Sequence, residues 1–199
     1  MRTETLEIKI YKFDELSEDV KQTIIETWRN DDEFFWSSEW RETLEKFCNV
    51  FTVDVRDWEV NLWGNSFIDI EDNQLTECDY WAHGQKEITG IRLWKYLKNN
   101  GYENTWNFGT PKKDRRTIYE DYCLTGYCGD HWILEPLIKF MKKPYDFDES
   151  ITFYELIKLC CESWLNGYLK DLEYWCSEEC IKEDIQANEY EFTEDGKIY

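Results

Sequence analysis

Proline, glycine and histidine are scarce in this sequence, and long apolar stretches are missing from it. The 199 residues include three prolines, nine glycines and two histidines. We find no internal repeat, low-complexity tract or Gly/Pro-rich linker, which favours one folded body over a string of modules. Two histidines make a thiol hydrolase of the Cys–His type an improbable class. No apolar stretch approaches the roughly 18 residues of a membrane helix, so no membrane span is predicted.

Positive charge is also in short supply. Lysine and arginine number 23 against 43 aspartates and glutamates, a formal net charge of −20. The excess is concentrated near the C-terminus, where residues 145–199 carry fifteen acidic and four basic side chains. Nucleic acids and anionic membranes should repel such a chain, and basic surfaces should attract it. We therefore expect the partner to be a protein with a basic, nucleic-acid-binding surface, with no direct nucleic-acid or membrane contact.

Aromatic residues, by contrast, are abundant. The chain is 42% hydrophobic and 18% aromatic, with eleven tryptophans, which excludes a disordered acidic protein. Some of these tryptophans should lie partly exposed at an interface. The length suits a single α+β domain over residues 1–199. The first residues show no secretory leader, so we expect a cytoplasmic protein whose eight cysteines are reduced, as a monomer or homodimer.

The first third of the sequence shows clear strand and helix patterns. Alternating Leu6, Ile8 and Ile10 predict a first strand with these residues facing the core. Ser17 is expected to cap a helix that buries a stripe of apolar residues, namely Val20, Ile24, Ile25 and Trp28. The alternation of apolar residues changes phase at Arg56-Asp57, which predicts a β-bulge there.

The stretch from residue 150 onwards organises the rest of the prediction. Between 151 and about 188 it contains no proline, and its apolar residues recur at helical spacing, with Ser150 as the expected N-cap. Those on one face are Phe153, Ile157, Cys160, Trp164, Tyr168, Leu172 and Trp175. One straight helix of this length would span roughly 55 Å, so we expect two helices or a kink near Gly167 or Ser177. Asp195-Gly196 predicts a hairpin. The predicted fold class is thus α+β, with a small antiparallel sheet, several helices, and a long C-terminal helical segment followed by a β-hairpin.

Several segments resemble a broad group of uncharacterised phage and prophage proteins, some of which are labelled antitoxin-like. The segments are Lys12-Phe-Asp-Glu-Leu-Ser17, Trp28-Arg29, Leu124-Thr-Gly-Tyr-Cys128, Ile133-Leu-Glu-Pro136 and Glu189-Tyr-Glu-Phe-Thr-Glu-Asp-Gly196. The resemblance supplies no catalytic residues. It implies a phage accessory protein that acts inside a bacterial cell, where small acidic proteins often inhibit CRISPR nucleases, restriction enzymes or nucleotide-signalled defence.

Three clusters of carboxylates are the candidate partner-binding residues. The last predicted helix carries Glu178, Glu179, Glu183 and Asp184, which are expected to form a continuous negative row. The other two clusters are Asp31, Asp32 and Glu33, and Glu191, Glu194 and Asp195. Carboxylates on a rigid helix can take the place of a phosphate backbone in a basic groove, although a solvated helix face carries the same pattern. The predicted function is inhibition of a defence factor of the CRISPR or restriction type, with DNA mimicry as the mode.

A basic loop offers a different function. Lys112, Lys113, Arg115 and Arg116 follow the aromatic residues Trp106 and Phe108. This loop is the alternative anion-binding site, and a protein that uses it would act as a sponge for a signalling nucleotide. A solvated loop that offsets part of the negative charge is the simpler reading. The antitoxin-like label supports a further alternative, in which the partner is a toxin.

Catalytic and metal-binding patterns are weak. Cys123, Cys128 and His131 are three possible zinc ligands within nine residues, and Cys176 and Cys180 are one helical turn apart. Paired CxxC knuckles, the usual zinc pattern, are missing, and small buried cysteines account equally well for the spacing. Cys128–His131 and Cys78–His83 are the conceivable nucleophile–base pairs, but neither has a local signature. We therefore predict a protein that is not an enzyme and that uses no cofactor or metal.

Overall fold

A computed structural model describes five stretches of the chain: residues 7–30, 36–51, 53–71, 88–99 and 124–199. Six α-helices lie in these stretches: α1 (Glu18–Arg29), α2 (Ser37–Phe51), α3 (Gly90–Asn99), α4 (Gly129–Lys142), α5 (Phe153–Trp175) and α6 (Glu178–Ala187). The strands are β1 (Ile10–Lys12), β2 (Val55–Glu59), β3 (Phe67–Ile70) and β4 (Glu191–Thr193). β1 pairs with β4 and β2 with β3, both antiparallel. The predicted α+β class is confirmed.

The chain divides into two compact units. Unit 1 comprises residues Met1–Phe34 and Asp171–Tyr199, and unit 2 comprises Phe35–Lys170. Unit 1 is therefore assembled from both ends of the sequence, while unit 2 is one continuous segment. That the whole of residues 1–199 behaves as a single domain stays a prediction.

Unit 1 has a small core between α1, α6 and the β1–β4 pair. Ile24 and Ile25 of α1, Ile181 and Ile185 of α6 and Phe192 of β4 are all at most 3% exposed. Partly buried side chains pack around them, and these include Val20 and Trp28. The stripe predicted for α1 is confirmed, and Ser17 stands at its N-cap position, although its side chain makes no capping hydrogen bond.

The first strand has the opposite phase to the prediction. Ile8 and Ile10 are 51% and 37% exposed, whereas Tyr11 lies opposite the buried Phe192 and packs on the core. The side chains that reach the core from this segment therefore alternate through Tyr11 and Phe13. The core of unit 1 contains the rings of Phe192 and Trp28, and Phe13 contacts the ring of Phe192 edge-on. The larger aromatic side chains Tyr11 and Phe13 thus occupy the core-facing positions in place of Ile8 and Ile10.

The long C-terminal helical segment breaks once, at Ser177. α5 ends at Trp175, and the hydroxyl of Ser177 accepts a hydrogen bond from the backbone N–H of Cys180 at 3.2 Å, which caps α6. The predicted break near Ser177 is confirmed, and α5 is continuous through Gly167. The predicted N-cap of α5 is wrong. Thr152 and Glu155 form a reciprocal capping box there, while Ser150 donates to Asp148.

The predicted C-terminal hairpin is also confirmed. The N–H of Thr193 donates to the carbonyl of Lys197 at 2.9 Å, and the N–H of Gly196 donates back to Thr193 at the same distance. Gly196 has φ +83°, the left-handed region that the Asp-Gly pair supplies at low cost. A side chain at this position would also press on Val20 and Ile24 of α1, so glycine lets the turn approach the core.

Unit 2 is built around tryptophan. Trp164 of α5 and Trp40 of α2 are fully buried, and the indole N–H of Trp164 donates to the carbonyl of Trp40 at 2.9 Å. Tyr168 stacks on Trp40 with the ring centroids 5.4 Å apart, and Trp58 of β2 meets Trp164 edge-on at 5.3 Å. The pairing of β2 with β3 shifts register between Val55 and Asp57, which confirms the predicted bulge.

Two residues of α5, Ser163 and Gly167, let this helix pack closely against α4 at Trp132. Pro136 lies inside α4 and has no N–H for the carbonyl of Trp132, and the hydroxyl of Ser163 donates to that carbonyl at 2.6 Å. Gly167 of α5 leaves room for the indole of Trp132, because a Cβ atom there would overlap the ring. The ammonium of Lys170 lies 4.8 Å from the centroid of the same ring.

Gly167→Ala is therefore expected to lower the free energy of unfolding by about 2 kcal/mol through overpacking against Trp132. The sign is informative, because glycine-to-alanine changes within helices ordinarily stabilise by about 1 kcal/mol. Urea unfolding followed by circular dichroism measures the change. The neighbouring exposed position supplies the control: Asn166→Ala is expected to gain about 0.5 kcal/mol. A stability gain in Gly167→Ala would contradict the packing described here.

Candidate acidic interaction site

Negative charge is concentrated in unit 1. The described residues of this unit carry sixteen acidic and six basic side chains, a net charge of −10 over 53 residues. The described residues of unit 2 carry fifteen acidic and eleven basic side chains, a net charge of −4 over 94 residues. The predicted acidic residues of the C-terminal region all belong to unit 1.

Helix α6 presents its four carboxylates in different directions. Ile181 and Ile185 face the core of unit 1 and fix the rotation of the helix. At about 100° per residue, Glu179 and Glu183 point away from that core, one turn apart. Glu178 and Asp184 lie on opposite flanks. The expected continuous row of four is therefore wrong, and the outward-facing pair is Glu179 and Glu183.

The two flanking carboxylates are already engaged within the protein. Glu178 forms an ion pair with Lys182 at 2.6 Å, and this ammonium lowers the pKa of the Glu178 carboxyl. Asp184 accepts a hydrogen bond at 2.9 Å from the side-chain amide of Asn188, which also binds the Asp184 carbonyl at 3.0 Å. These contacts stabilise the ends of α6, so Glu178 and Asp184 contribute less free negative charge than Glu179 and Glu183.

An exposed tyrosine lies beside the outward pair. Tyr174, in the last turn of α5, is 57% exposed, and its hydroxyl donates to Glu183 at 3.4 Å. The nearby carboxylate raises the pKa of Tyr174. An exposed aromatic ring next to charge is the type of residue that anchors protein interfaces. Tyr174 belongs neither to the predicted apolar face of this helical segment nor to the predicted carboxylates, so the sequence did not identify it as a site residue.

The hairpin adds three more carboxylates in unit 1. Glu191 lies directly across the strand pair from Lys12, an arrangement that offsets its charge. Asp195 forms an ion pair with Lys197 at 2.6 Å and accepts from the hydroxyl of Thr193 at the same distance. Glu194 is exposed and forms no hydrogen bond or ion pair with another described residue. It is the hairpin counterpart of Glu179 and Glu183.

The contacts of Asp195 predict a pH-dependent hairpin. The hydrogen bond from Lys197, followed by that from Thr193, lowers the pKa of Asp195 to about 2 from an ordinary value of 3.8. A carboxylate whose pKa is lowered in the folded protein stabilises the fold at any pH above its ordinary pKa. This stabilisation is lost as the pH falls to the lower pKa of the folded state. Asp195→Asn is therefore expected to lower the melting temperature at neutral pH, with the difference vanishing near pH 2. Thermal unfolding of both proteins across this range measures it.

Glu194→Gln is the matched control for that experiment, because it removes the neighbouring charge of the same turn without touching Lys197 or Thr193. It should leave the melting temperature nearly unchanged at either end of the pH range. A difference between wild type and Asp195→Asn that persists at pH 2 would show that the aspartate acts through something other than its charge.

We refer below to the carboxylates Glu179, Glu183 and Glu194, together with the neighbouring ring of Tyr174, as the outward acidic set. Two predicted groups of site residues cannot be compared with it, because they lie outside the described residues. They are Asp31, Asp32 and Glu33, and the basic loop of Lys112, Lys113, Arg115 and Arg116.

The segment that begins α4 contains the predicted metal and nucleophile candidates. Cys128 and His131 are exposed, while Asp130 between them is fully buried. One carboxylate oxygen of Asp130 accepts from the backbone N–H groups of Leu124, Thr125 and Gly126 at 2.8–2.9 Å, and the other accepts from the Thr125 hydroxyl at 2.7 Å. This carboxylate therefore holds the loop before α4 in place, which is a structural task.

A metal site receives no support from the described residues, where no group of three His, Cys, Asp or Glu side chains is arranged to hold an ion. Cys123, Cys78 and His83 lie outside these residues. Cys176 and Cys180 do not share a helix face as their spacing predicted, because Cys176 follows α5 and Cys180 lies within α6.

Three other thiols, of which Cys160 and Cys161 are buried and Cys48 is half-buried, are unsuited to nucleophilic chemistry. Burial raises the pKa of Cys48 to about 12, and it also raises the pKa values of Cys160 and Cys161. A thiol with such a pKa carries almost no thiolate at neutral pH. These cysteines pack as small hydrophobic residues in unit 2.

Comparison with protein-family models, with curated proteins and with solved structures gives no match to this chain. The resemblance to phage accessory proteins therefore stays a prediction. Within the described stretches, every helix is too short or too polar to cross a lipid bilayer.

Proposed function

We propose that this protein is a phage-encoded inhibitor that binds a nucleic-acid-handling defence factor of the bacterial host, of the CRISPR or restriction type. It acts in the cytoplasm by binding and not by catalysis. The observation that carries the proposal is the concentration of negative charge in unit 1, a net −10 over 53 described residues. The outward acidic set occupies the basic surface that the host factor uses for nucleic acid.

The electrostatics favour such a complex in two ways. A strongly negative unit raises the rate of encounter with a basic surface, by roughly tenfold to a thousandfold at low ionic strength. The carboxylates Glu179 and Glu183 also sit on a helix that is capped by Ser177 and anchored by two buried isoleucines. Because their backbone is already ordered, little backbone conformational entropy is lost on binding.

An apolar contribution accompanies the charge. Charge pairs at an interface rim add little affinity by themselves, since the pairing energy is offset by desolvation and screening. Tyr174 supplies a large exposed ring beside Glu183, and Tyr199 is 68% exposed in the same unit. These rings are the expected sources of buried apolar area in the complex.

Capture followed by competition tests the proposal. The tagged protein is used as bait in a bacterial lysate, beside a variant with Glu179, Glu183 and Glu194 changed to lysine. A captured protein that the variant loses is purified, and its binding to labelled duplex DNA or guide RNA is measured with increasing amounts of wild type. Displacement of the nucleic acid by wild type and not by the variant supports the proposal.

The same experiment separates the proposal from its alternatives. If the captured protein binds no nucleic acid, or binds the DNA and the wild-type protein at the same time, the mimicry mode is excluded. A small captured toxin whose activity the wild type neutralises would favour the antitoxin-like alternative.

A further inference from the structure

Unit 2 contains a basic cavity that the sequence did not indicate. It lies between α3 and the end of α4, and its volume is about 530 Å³. The side chains that give it its character are Trp94, Lys95, Lys142, Lys143, Tyr145 and Asp146. Lys95 and Trp94 come from α3, and the other four come from the last residues of α4 and the 3₁₀ turn Pro144–Asp146.

The two walls are held together by a specific hydrogen bond. The indole N–H of Trp94 donates to the carbonyl of Met141 at 2.9 Å, a carbonyl in the last turn of α4 that has no intrahelical donor. On the other wall, the N–H of Asp146 donates to the carbonyl of Lys143 at 3.1 Å, and Pro144 fixes the start of the turn. The cavity is therefore formed by ordered backbone on both sides.

The charge of the cavity is opposite to that of the protein. Three lysines line it in a chain whose net charge is −20, and Asp146 is the one acid among its described lining residues. Lys142 and Lys143 also complement the negative end of the α4 dipole. Lys95 cannot complement the α4 dipole in this way, because it belongs to α3, yet it lines the same cavity. Asp146 and Lys143 approach to only 3.8 Å, and both side chains are mostly exposed.

The cavity also presents flat aromatic surface. Tyr145 is 82% exposed, a large ring that contributes almost nothing to the core. Trp94 is half-buried, and the ammonium of Lys98 lies 4.6 Å from its ring centroid. Aromatic rings beside lysines provide stacking for a planar group and charge for an anionic group.

We propose that this cavity binds a small anion that carries an aromatic ring, of the size of a nucleoside monophosphate. Lys95 and Lys143 contact the phosphate, and the base stacks on Tyr145. The volume falls within the range of about 300–1,000 Å³ that is typical of small-molecule sites. None of these residues belongs to the outward acidic set, so this proposal and the proposed function stand or fall separately.

Isothermal titration with adenosine 5′-monophosphate tests the proposal, beside titrations with adenosine and with inorganic phosphate. We expect one molecule of the nucleotide per chain, bound more tightly than either fragment. Lys95→Gln combined with Lys143→Gln should weaken binding about tenfold or more, since two charge-assisted contacts are lost. Tyr145→Ala should weaken it at least about fivefold through lost stacking.

Lys139→Gln is the matched control. It removes a lysine charge from α4, but Lys139 is paired with Glu135 at 2.8 Å and does not line the cavity. We expect binding within about twofold of wild type in this variant. No measurable binding of the nucleotide at millimolar concentration would overturn the proposal. So would an equal loss in Lys139→Gln, or phosphate binding as tightly as the nucleotide with no effect of Tyr145→Ala.

Discussion

Changing Glu179, Glu183 and Glu194 to lysine is expected to weaken the complex with the captured host factor about a hundredfold at low salt. All three side chains are exposed, and two of them lie one turn apart on the outward face of α6. The substitution replaces attraction to a basic surface with repulsion at three points. Titration calorimetry at low and at high salt measures the loss, which should shrink as salt screens the charges.

A variant of equal charge separates this surface from net charge alone. Glu45, Asp69 and Glu149 are exposed residues of unit 2, and their change to lysine alters the charge of the protein by the same amount. We expect its affinity to stay within about threefold of wild type. If this variant binds as weakly as the first, the partner responds to the charge of the whole protein, and the outward acidic set has no special role. Circular dichroism of both variants should match that of wild type.

Asp130→Asn is expected to lower the free energy of unfolding by about 3 kcal/mol. The wild-type carboxylate is fully buried and accepts hydrogen bonds from three backbone N–H groups and from the hydroxyl of Thr125. An asparagine side chain has one oxygen, so its NH₂ group would face donors or leave them unsatisfied. Urea unfolding of the two proteins, followed by intrinsic tryptophan fluorescence, measures the difference.

Two companion variants define the cause of that loss. Asp148→Asn removes a carboxylate that also binds a backbone N–H and a hydroxyl, both from Ser150, but at an exposed position. Its effect should be much smaller, because water replaces the lost contacts. Thr125→Val removes one donor to Asp130 and should cost about 1 kcal/mol. If Asp130→Asn lowers the free energy of unfolding by no more than Asp148→Asn does, burial does not strengthen the hydrogen bonds that Asp130 accepts.

Local patterns predicted the elements that bury their own apolar stripe. The spacing from Val20 to Trp28 identified α1, and the phase change at Arg56-Asp57 identified the bulge in β2. Asp195-Gly196 identified the hairpin, because the left-handed conformation at Gly196 is a local requirement. In each of these places the residue types and the tertiary structure demand the same backbone.

Other features depended on contacts between distant residues. The phase of β1 was wrong because the choice between Ile10 and Tyr11 is made by Phe192, far along the chain. The row of carboxylates on α6 was wrong for a local reason, since at about 100° per residue the positions 178, 179, 183 and 184 are spread over roughly 240° of the helix. The basic cavity was missed because Lys95 lies in α3 and Lys143 directly follows α4, so the two lysines approach each other only in the folded chain.

The pairing of β1 with β4 has a consequence for how the protein forms in the cell. Unit 1 needs residues from both ends of the sequence, and the whole of unit 2 is synthesised between them. Until α6 and β4 have been synthesised, the isoleucines of α1 therefore lack their packing partners, while unit 2 emerges from the ribosome and folds. The negatively charged surface of unit 1 arises last, so nascent chains that are cut short before α6 should lack the outward acidic set and be prone to capture by chaperones.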